Sequence, residues 1–250
     1  RNLLAAAQAH GVKRFVYTST PSVVFGRGGH AGGDESLPIP ARHLAHYPRT
    51  KAQAEGEVLA ANREGFTTLA LRPHLVWGPG DLNLIPRVIE RARSGKLKMV
   101  GDGENKVDVL YVENAARAHT LALTAPAARV GGQAYFIGQG PVKLWDFIGE
   151  ILKRAGVPAP EAAVSVRTAY AVGWLLEKAW AIGGIDAPEP PMTRFVALNL
   201  GRDHWYYHAK ARADLGWQPE VDIEEGMVRL FRHREEQRRL VGGIPPLPPS

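Results

Sequence analysis

The sequence predicts an α/β protein built around a parallel sheet, and three observations support this. Apolar segments rich in β-branched residues alternate along the chain with segments of helical period. Two of these strands stop at residues that end strands, one at Pro21 and the other at Pro73. The 250 residues are also enough to bury a substantial core.

The predicted elements follow one another in a regular order. The chain opens with a helical segment at residues 1–7, and a strand over residues 12–20 comes next. The other predicted strands cover residues 67–72, 98–100, 107–112 and 133–138. The other predicted helices cover residues 46–62, 82–94, 113–124, 144–155, 166–182 and 224–240.

Tyr47 and Lys51 are spaced four residues apart at the start of the helix predicted over 46–62. Residues at this spacing share a helical face, so the ammonium can stabilise the phenolate of Tyr47. An unperturbed tyrosine has a pKa of about 10, and a neighbouring cation lowers it toward the range of an acid–base catalyst. The spacing alone also fits an unremarkable surface pair.

Hydroxyl residues stand at the end of the strand over 12–20, at Ser19, Thr20 and Ser22. Ligands of open α/β sheets bind at the carboxyl ends of the strands, which is where these side chains fall. The alternative is ordinary turn chemistry, since Ser and Thr bond to nearby backbone. The order of strand, hydroxyls, Tyr/Lys helix, strand and Arg-Pro is more specific than any of its parts.

Six segments carry a resemblance to a known family. They are FVYTSTPSVVFG (15–26), DESLP (34–38), YPRTKAQAE (47–55), LRPHLVWGPGD (71–81), GDGENKVDVLYVEN (101–114) and ARADLGWQPEVDIEEG (211–226). With them the chain resembles an extended short-chain dehydrogenase/reductase of the 3β-hydroxysteroid dehydrogenase-like branch, related to the NAD-dependent epimerases and dehydratases. That branch includes sterol-carboxylate dehydrogenases and 2-alkyl-3-ketoalkanoate reductases.

The resemblance implies a Rossmann-type doubly wound parallel sheet, truncated at its N-terminus, with a smaller, mostly helical substrate domain after it. The glycine-rich turn that holds the cofactor pyrophosphate is expected to lie in the missing part. Residues 1–140 would be the C-terminal half of the dinucleotide-binding domain, with a substrate-domain excursion at about 77–106. Residues 141–240 would bind or cover the substrate, and 241–250 would form a disordered Pro-rich tail.

One glycine pattern is rejected as a phosphate loop. Gly26, Gly29 and Gly32 have a dinucleotide-like spacing, but the residues that follow them, 33–40, are typical of a loop and not of a helix.

The resemblance also implies roles for particular residues and a cofactor, NAD or NADP, between which the sequence does not choose. The catalytic residues would be Tyr47 as proton donor, Lys51 and Thr20, with Ser19 and Ser22 as alternatives to Thr20. The cofactor-binding residues would be Thr18, Ser19, Tyr47, Lys51, Pro73, His74 and Leu75, and the substrate-binding residues Ser22, Val76 and Trp174. His46 and His74 lack metal-ligand spacing with carboxylates, so no metal site is predicted.

Val107 distinguishes between substrate classes. Nucleotide-sugar epimerases and dehydratases of this superfamily usually carry an arginine there, just before the position of Asp108, to hold a diphosphate. Valine favours an apolar substrate, either steroid-like or a long-chain β-keto or β-hydroxy acid, interconverted between ketone and secondary alcohol by hydride transfer. The alternatives are a nucleotide-sugar epimerase or dehydratase and a noncatalytic NAD(P)-binding protein.

Charge and composition bear on partners and location. The net charge of +6 comes without a nucleic-acid motif, and the arginines of 224–240 alternate with glutamates as on a solvated helix face. No cysteine is present, which excludes disulfides and fits a reducing compartment such as the cytoplasm.

The helix over 166–182 is interpreted as a lid or pocket helix, with an interfacial membrane helix as the alternative. A homodimer is expected for the full-length protein.

Overall fold

The structure is a computed structural model that describes residues 1–185 and 190–242. Its helices are α1 (Asn2–Ala9), α2 (His46–Ala60), α3 (Leu84–Arg93), α4 (Val112–Thr124), α5 (Ala127–Val130), α6 (Leu144–Arg154), α7 (Val166–Ile182), α8 (Arg194–Gly201), α9 (Ala209–Leu215) and α10 (Ile223–Gly242). Its strands are β1 (Arg14–Thr18), β2 (His30–Gly33), β3 (Thr67–Pro73), β4 (Val76–Trp77), β5 (Met99–Val100), β6 (Lys106–Tyr111), β7 (Gln133–Ile137), β8 (Gln139–Lys143), β9 (Ala163–Val164) and β10 (His204–Tyr206).

The first sheet is parallel, with the strand order β1-β3-β7. Its central strand β3 is buried from Thr68 to Arg72, and the middle of this stretch, Leu69–Leu71, is apolar, as expected of a strand covered on both faces. Helix α4 packs against β1 and β3, and α2 packs against β3. Because the strands are parallel, their carboxyl ends meet at one edge, where Thr18 and Pro73 end β1 and β3.

The second sheet has the order β2-β10-β6-β4, with all these strands parallel and β8 added antiparallel to β6. Strand β10 comes from the C-terminal part of the chain, yet it lies between β2 and β6. Strands β5 and β9 form a separate parallel pair. The second sheet therefore joins segments that are far apart in the sequence.

Two large clusters of buried apolar side chains correspond to the two sheets. One contains Trp77 and Ile85 of the 77–106 excursion together with Trp145 and Phe147 of α6, so the excursion shares a core with residues beyond 140. The other contains side chains of β3, β7 and α4 and also Trp217. Residues around α9 and Trp217 thus pack with the first sheet, although they lie within the segment 141–240 that was expected to bind or cover the substrate.

The segments predicted as helices and strands are observed as such, with ends that differ by a few residues. Strands β2, β4, β8, β9 and β10 and helices α5, α8 and α9 were not predicted. Strand β2 falls on the rejected glycine pattern, and Gly32 there packs closely against the rings of Trp205 and Tyr207, with no helix following. Helix α10 continues through Gly242, two residues into the predicted tail, and residues 243–250 lie outside the described range.

Candidate active site

Helix α2 places Lys51 at the carboxyl end of β1. The Lys51 Nζ donates a hydrogen bond of 2.7 Å to the Thr18 carbonyl oxygen, and it lies 4.9 Å from the centroid of the Tyr17 ring. Burial lowers the pKa of Lys51, and the negative charge of Glu55 acts in the opposite direction. The ammonium is therefore fixed in place on one backbone carbonyl and one aromatic face.

Tyr47 lies one turn before Lys51 on α2 and is 53% exposed. Burial, and then the charges of Glu55 and Tyr47, raise the pKa of Tyr17. We call Lys51, the Tyr17 ring that it contacts, and Tyr47, one turn before Lys51 on α2, the Tyr/Lys group. Its exposed member, Tyr47, is free to meet a ligand.

The hydroxyl residues after β1 have different bonding states. The Thr20 Oγ1 accepts a hydrogen bond from the Ser22 backbone N–H and donates to the Ser22 Oγ, both at 3.2 Å, so it caps the 3-10 turn Pro21–Val23. Ser19 is 3% exposed, and its Oγ has no partner among the described residues. Thr18 bonds instead to the His119 Nε2 at 2.8 Å. The Thr20 hydroxyl is thus already hydrogen-bonded within a turn, whereas the Ser19 hydroxyl has no partner among the described residues.

A strained loop follows β3. Leu75 has φ +42°, in the left-handed region that a residue with a Cβ adopts only at a cost. The His74 backbone N–H donates to the Ile137 carbonyl at 3.2 Å, and the Leu75 carbonyl accepts from the Leu110 N–H at 3.2 Å. Val76 pairs with Leu110 and is 38% exposed. Strands β7 and β6 therefore hold the loop from both sides.

Two buried histidines meet beneath this loop. His74 and His204 form a ring-nitrogen hydrogen bond, and their ring centroids lie 4.7 Å apart. The His204 Nε2 donates to the Asn199 carbonyl at 2.7 Å. Burial lowers the pKa of both histidines, and for His74 the nearby His204 and His208 lower it further. Sequence reasoning placed His74 at the site but missed His204, because no local pattern signals a partner 130 residues away.

A buried ion pair holds α2 on β3. The Arg72 Nη2 and Nε donate to the two carboxylate oxygens of Glu55 at 2.6 Å and 3.0 Å, and the side chains are 5% and 1% exposed. The guanidinium also lies over the Phe136 ring at 5.0 Å. Glu55 is two turns after Tyr47 on α2, so this pair fixes the height and rotation of the helix that carries Tyr47 and Lys51. It was not predicted, although Arg72 and Glu55 both lie in the quoted motifs.

The other predicted residues are distributed as follows. Trp174 lies on α7 and is 44% exposed. Helix α7 packs chiefly against α8, and no contact between α7 and the Tyr/Lys group is among its main described contacts. Val107 is fully buried in β6, where it pairs with Val142 and stands opposite His204. In the part of the chain that the structure describes, no group of three His, Asp or Glu side chains is arranged to hold a metal ion.

Comparison with known proteins identifies the family. The family model described as 3-beta hydroxysteroid dehydrogenase/isomerase family matches residues 1–166. The 2-alkyl-3-oxoalkanoate reductase of Stenotrophomonas maltophilia is 48% identical over 92% of this chain and 71% of its own length. The 3beta-hydroxysteroid-dehydrogenase/decarboxylase isoform 1 of Arabidopsis thaliana is 37% identical over 95% of this chain and 57% of its own length.

Solved structures show the fold. The dTDP-glucose 4,6-dehydratase of Streptomyces venezuelae, solved with NAD bound, is similar with a TM-score of 0.67 and 23% identity, over 95% of this chain and 65% of that one. This likeness confirms the predicted Rossmann-like fold, and the names of the relatives agree with the predicted oxidoreductase class. The chain belongs to the 3-beta hydroxysteroid dehydrogenase/isomerase family, as its motifs predicted.

Proposed function

We propose that the protein is an NAD(P)-dependent oxidoreductase that interconverts a ketone and a secondary alcohol on an apolar substrate. The observation that carries this proposal is the Tyr/Lys group, where Lys51 is held on the Thr18 carbonyl and Tyr47 is open to a ligand. A binding protein needs no proton donor, whereas a ketone reductase needs one close to a cation. The unused buried hydroxyl of Ser19 fits a bound polar group at the same strand end.

The proposed mechanism follows from the charge that develops on the substrate. NAD(P)H, held by Lys51 and by the backbone around His74 and Leu75, would supply the hydride to the carbonyl carbon, and the C=O π electrons would move onto the oxygen. Tyr47 donates its phenolic proton to that oxygen, which becomes the alcohol, and the adjacent Lys51 ammonium stabilises the phenolate left behind. Thr20, or Ser19 in its place, donates a hydrogen bond to the same oxygen. The alcohol oxidation runs through the same steps in reverse.

The substrate is proposed to be steroid-like or a long-chain β-keto acid. Two of the named relatives support this, a 2-alkyl-3-oxoalkanoate reductase and a 3beta-hydroxysteroid-dehydrogenase/decarboxylase. The buried Val107 supplies no cation for a sugar-linked diphosphate. Assays of the full-length protein on a long-chain β-keto acid, a 3-ketosteroid and a UDP-hexose should give turnover only with the lipidic compounds. Conversion of the UDP-hexose alone would instead support an epimerase or dehydratase.

The direct test of the proton donor is Tyr47→Phe in the full-length protein. The change removes one hydroxyl from an exposed position, so the fold should be unaffected. Turnover should fall by roughly 10²–10⁴ while the affinity for the dinucleotide stays the same. Tyr17→Phe is the matched control, because it removes the neighbouring phenol and leaves the aromatic face under Lys51. Activity of Tyr47→Phe within a few-fold of wild type would exclude the assignment.

We also propose peripheral contact with a membrane through α7. Val172, Trp174 and Leu175 are exposed on this helix, and Arg167 and Lys178 are exposed with them. Apolar side chains flanked by cations are typical of helices that lie in the interface of anionic lipids. No helix of the described chain is both long enough and apolar enough to cross a bilayer. The protein should float with phosphatidylserine vesicles, and Leu175→Glu should abolish this.

A homodimer of the full-length protein is proposed on the strength of the family resemblance alone. Sedimentation equilibrium should give twice the monomer mass at micromolar concentration, and a single-chain mass would contradict it.

A further inference from the structure

We propose that His204 is a positioning residue for cofactor binding, acting through His74 on the loop His74–Val76. This inference rests on the proposed function, and on the cofactor-binding role that the family resemblance implies for His74 and Leu75. His204 itself lies in β10 and is 1% exposed, so it touches no ligand directly.

The hydrogen-bond pattern fixes which proton lies where. The Asn199 carbonyl oxygen only accepts, so the His204 Nε2 must carry the proton that it donates there at 2.7 Å. A neutral His204 then has its lone pair at Nδ1, and the His74 Nε2–H donates to it. Burial keeps both rings neutral by lowering their pKa values. The two hydrogen bonds from His74 to His204 and from His204 to Asn199 therefore run in one direction, with both rings in one protonation state.

The strain at Leu75 explains why these two side-chain hydrogen bonds are needed. A non-glycine residue at φ +42° is strained and persists only where its neighbours hold it. Backbone bonds to Ile137 and Leu110 hold the two ends of the loop. The His74 side chain is buried and supplies a third attachment through its hydrogen bond to His204. Losing it would leave the loop free to relax.

The surroundings of His204 favour a fixed ring. The Phe25 ring meets it edge to face, with the ring centroids 5.6 Å apart. His204 also belongs to β10, which pairs with both β2 and β6, so its backbone is held in a sheet. A rigid acceptor of this kind sets the position of His74 more closely than a residue on a loop could.

Two amide substitutions separate the two hydrogen bonds of His204. Asn places an amide oxygen near the position of Nδ1, so His204→Asn keeps the acceptor for His74 and loses the bond to Asn199. Gln places its amide nitrogen near Nε2, so His204→Gln keeps the bond to Asn199 and loses the acceptor. Both variants remove an imidazole from the same buried position and serve as controls for each other.

The test measures dinucleotide affinity by calorimetry, the Michaelis constant for the dinucleotide and the melting temperature of both variants in the full-length protein. His204→Gln should weaken dinucleotide affinity about five- to tenfold, the effect of one lost hydrogen bond, and raise that Michaelis constant more than it lowers kcat. His204→Asn should stay within about twofold of wild type. A purely structural residue would lower the melting temperature in both variants without separating their affinities.

Equal dinucleotide affinity in the Asn and Gln variants would overturn the positioning role while leaving the proposed function intact. A wild-type protein that binds no dinucleotide would overturn the proposed function and this role with it. A second measurement needs no ligand: ¹⁵N NMR should show a coupling between the His74 Nε2 and the His204 Nδ1 across their hydrogen bond. Absence of that coupling would overturn the inference at its structural step.

Discussion

Lys51 shows how much a single side chain depends on its neighbours. Its ammonium is shared between the Thr18 carbonyl and the face of Tyr17, and no carboxylate forms an ion pair with it among the described salt bridges. Charge near a phenol is useful only if it is not neutralised by a bound anion. The arrangement therefore leaves the positive charge of Lys51 available to Tyr47 and to a cofactor hydroxyl.

Lys51→Ala is expected to differ from Tyr47→Phe. Removing the ammonium takes away both the cation that would stabilise the phenolate and the cofactor contact that the family resemblance implies for Lys51, so kcat and dinucleotide affinity should both fall. We expect a loss of affinity of about tenfold or more in addition to the loss of turnover. Titration calorimetry with the full-length protein measures it. Unchanged affinity would confine Lys51 to an electrostatic role.

Glu55 is expected to matter for stability more than any exposed carboxylate of α2. Glu55→Gln leaves the Arg72 guanidinium buried without its countercharge, which should lower the free energy of unfolding by about 3–5 kcal/mol. Glu57→Gln is the matched control on the same helix, since Glu57 pairs with Arg1 at the surface, and it should have no measurable effect. Urea denaturation compares the two. Equal midpoints for both variants would contradict the prediction.

At the scale of elements, long segments with a clear period were predictable and short ones were not. Helix α7 was predicted with its observed ends, because Ser165 caps it and Gly183 ends it. Strand β2 was missed because its sequence, His-Ala-Gly-Gly, has no β-forming residue except in the context of its partner β10. The placement of Tyr47 and Lys51 on one helix could be predicted because helical spacing is local, whereas the contact of Lys51 with the Tyr17 ring of β1 was not predicted. The His74–His204 bond could not, because it depends on tertiary pairing.

Trp174 provides a test of what α7 does. If its side chain contributes to the substrate pocket, Trp174→Ala should raise the Michaelis constant for a lipidic substrate several-fold. It should change the melting temperature little, since 44% of the residue is already exposed. Trp217→Ala is the contrasting variant, because Trp217 is fully buried and its loss should cost about 3–5 kcal/mol of stability. An unchanged Michaelis constant would remove Trp174 from the pocket.

At the scale of the whole molecule, the buried histidines link stability to pH. Histidines in the unfolded chain titrate near 6.5, whereas burial keeps His74 and His204 neutral to lower pH in the folded chain. The unfolded state therefore takes up more protons as the pH falls below about 6.5. The free energy of unfolding should be greatest above pH 7, and it should fall by about 1.4 kcal/mol for each histidine with each pH unit below about 6.5.

Urea denaturation at pH 7.5, 6.5 and 5.5 measures this dependence. His204→Asn removes one of the two groups and should reduce the slope by about half, whereas the exposed His10→Asn should leave it unchanged. A slope that is the same in all three proteins would assign the pH dependence to other groups.

The place of β10 in the second sheet has a consequence for the order in which the protein folds. Strand β2 can pair only with a segment that leaves the ribosome after most of the chain has been made, and β6 receives one of its neighbours equally late. The strands β1, β3 and β7 of the first sheet, in contrast, have all emerged once β7 has been made. Because distant pairings form slowly, the nascent chain should pair β1, β3 and β7 while the glycine-rich strand β2 is still without β10. The late arrival of β10 would then also be the step that seats His204 under His74 and attaches the loop His74–Val76 to the second sheet.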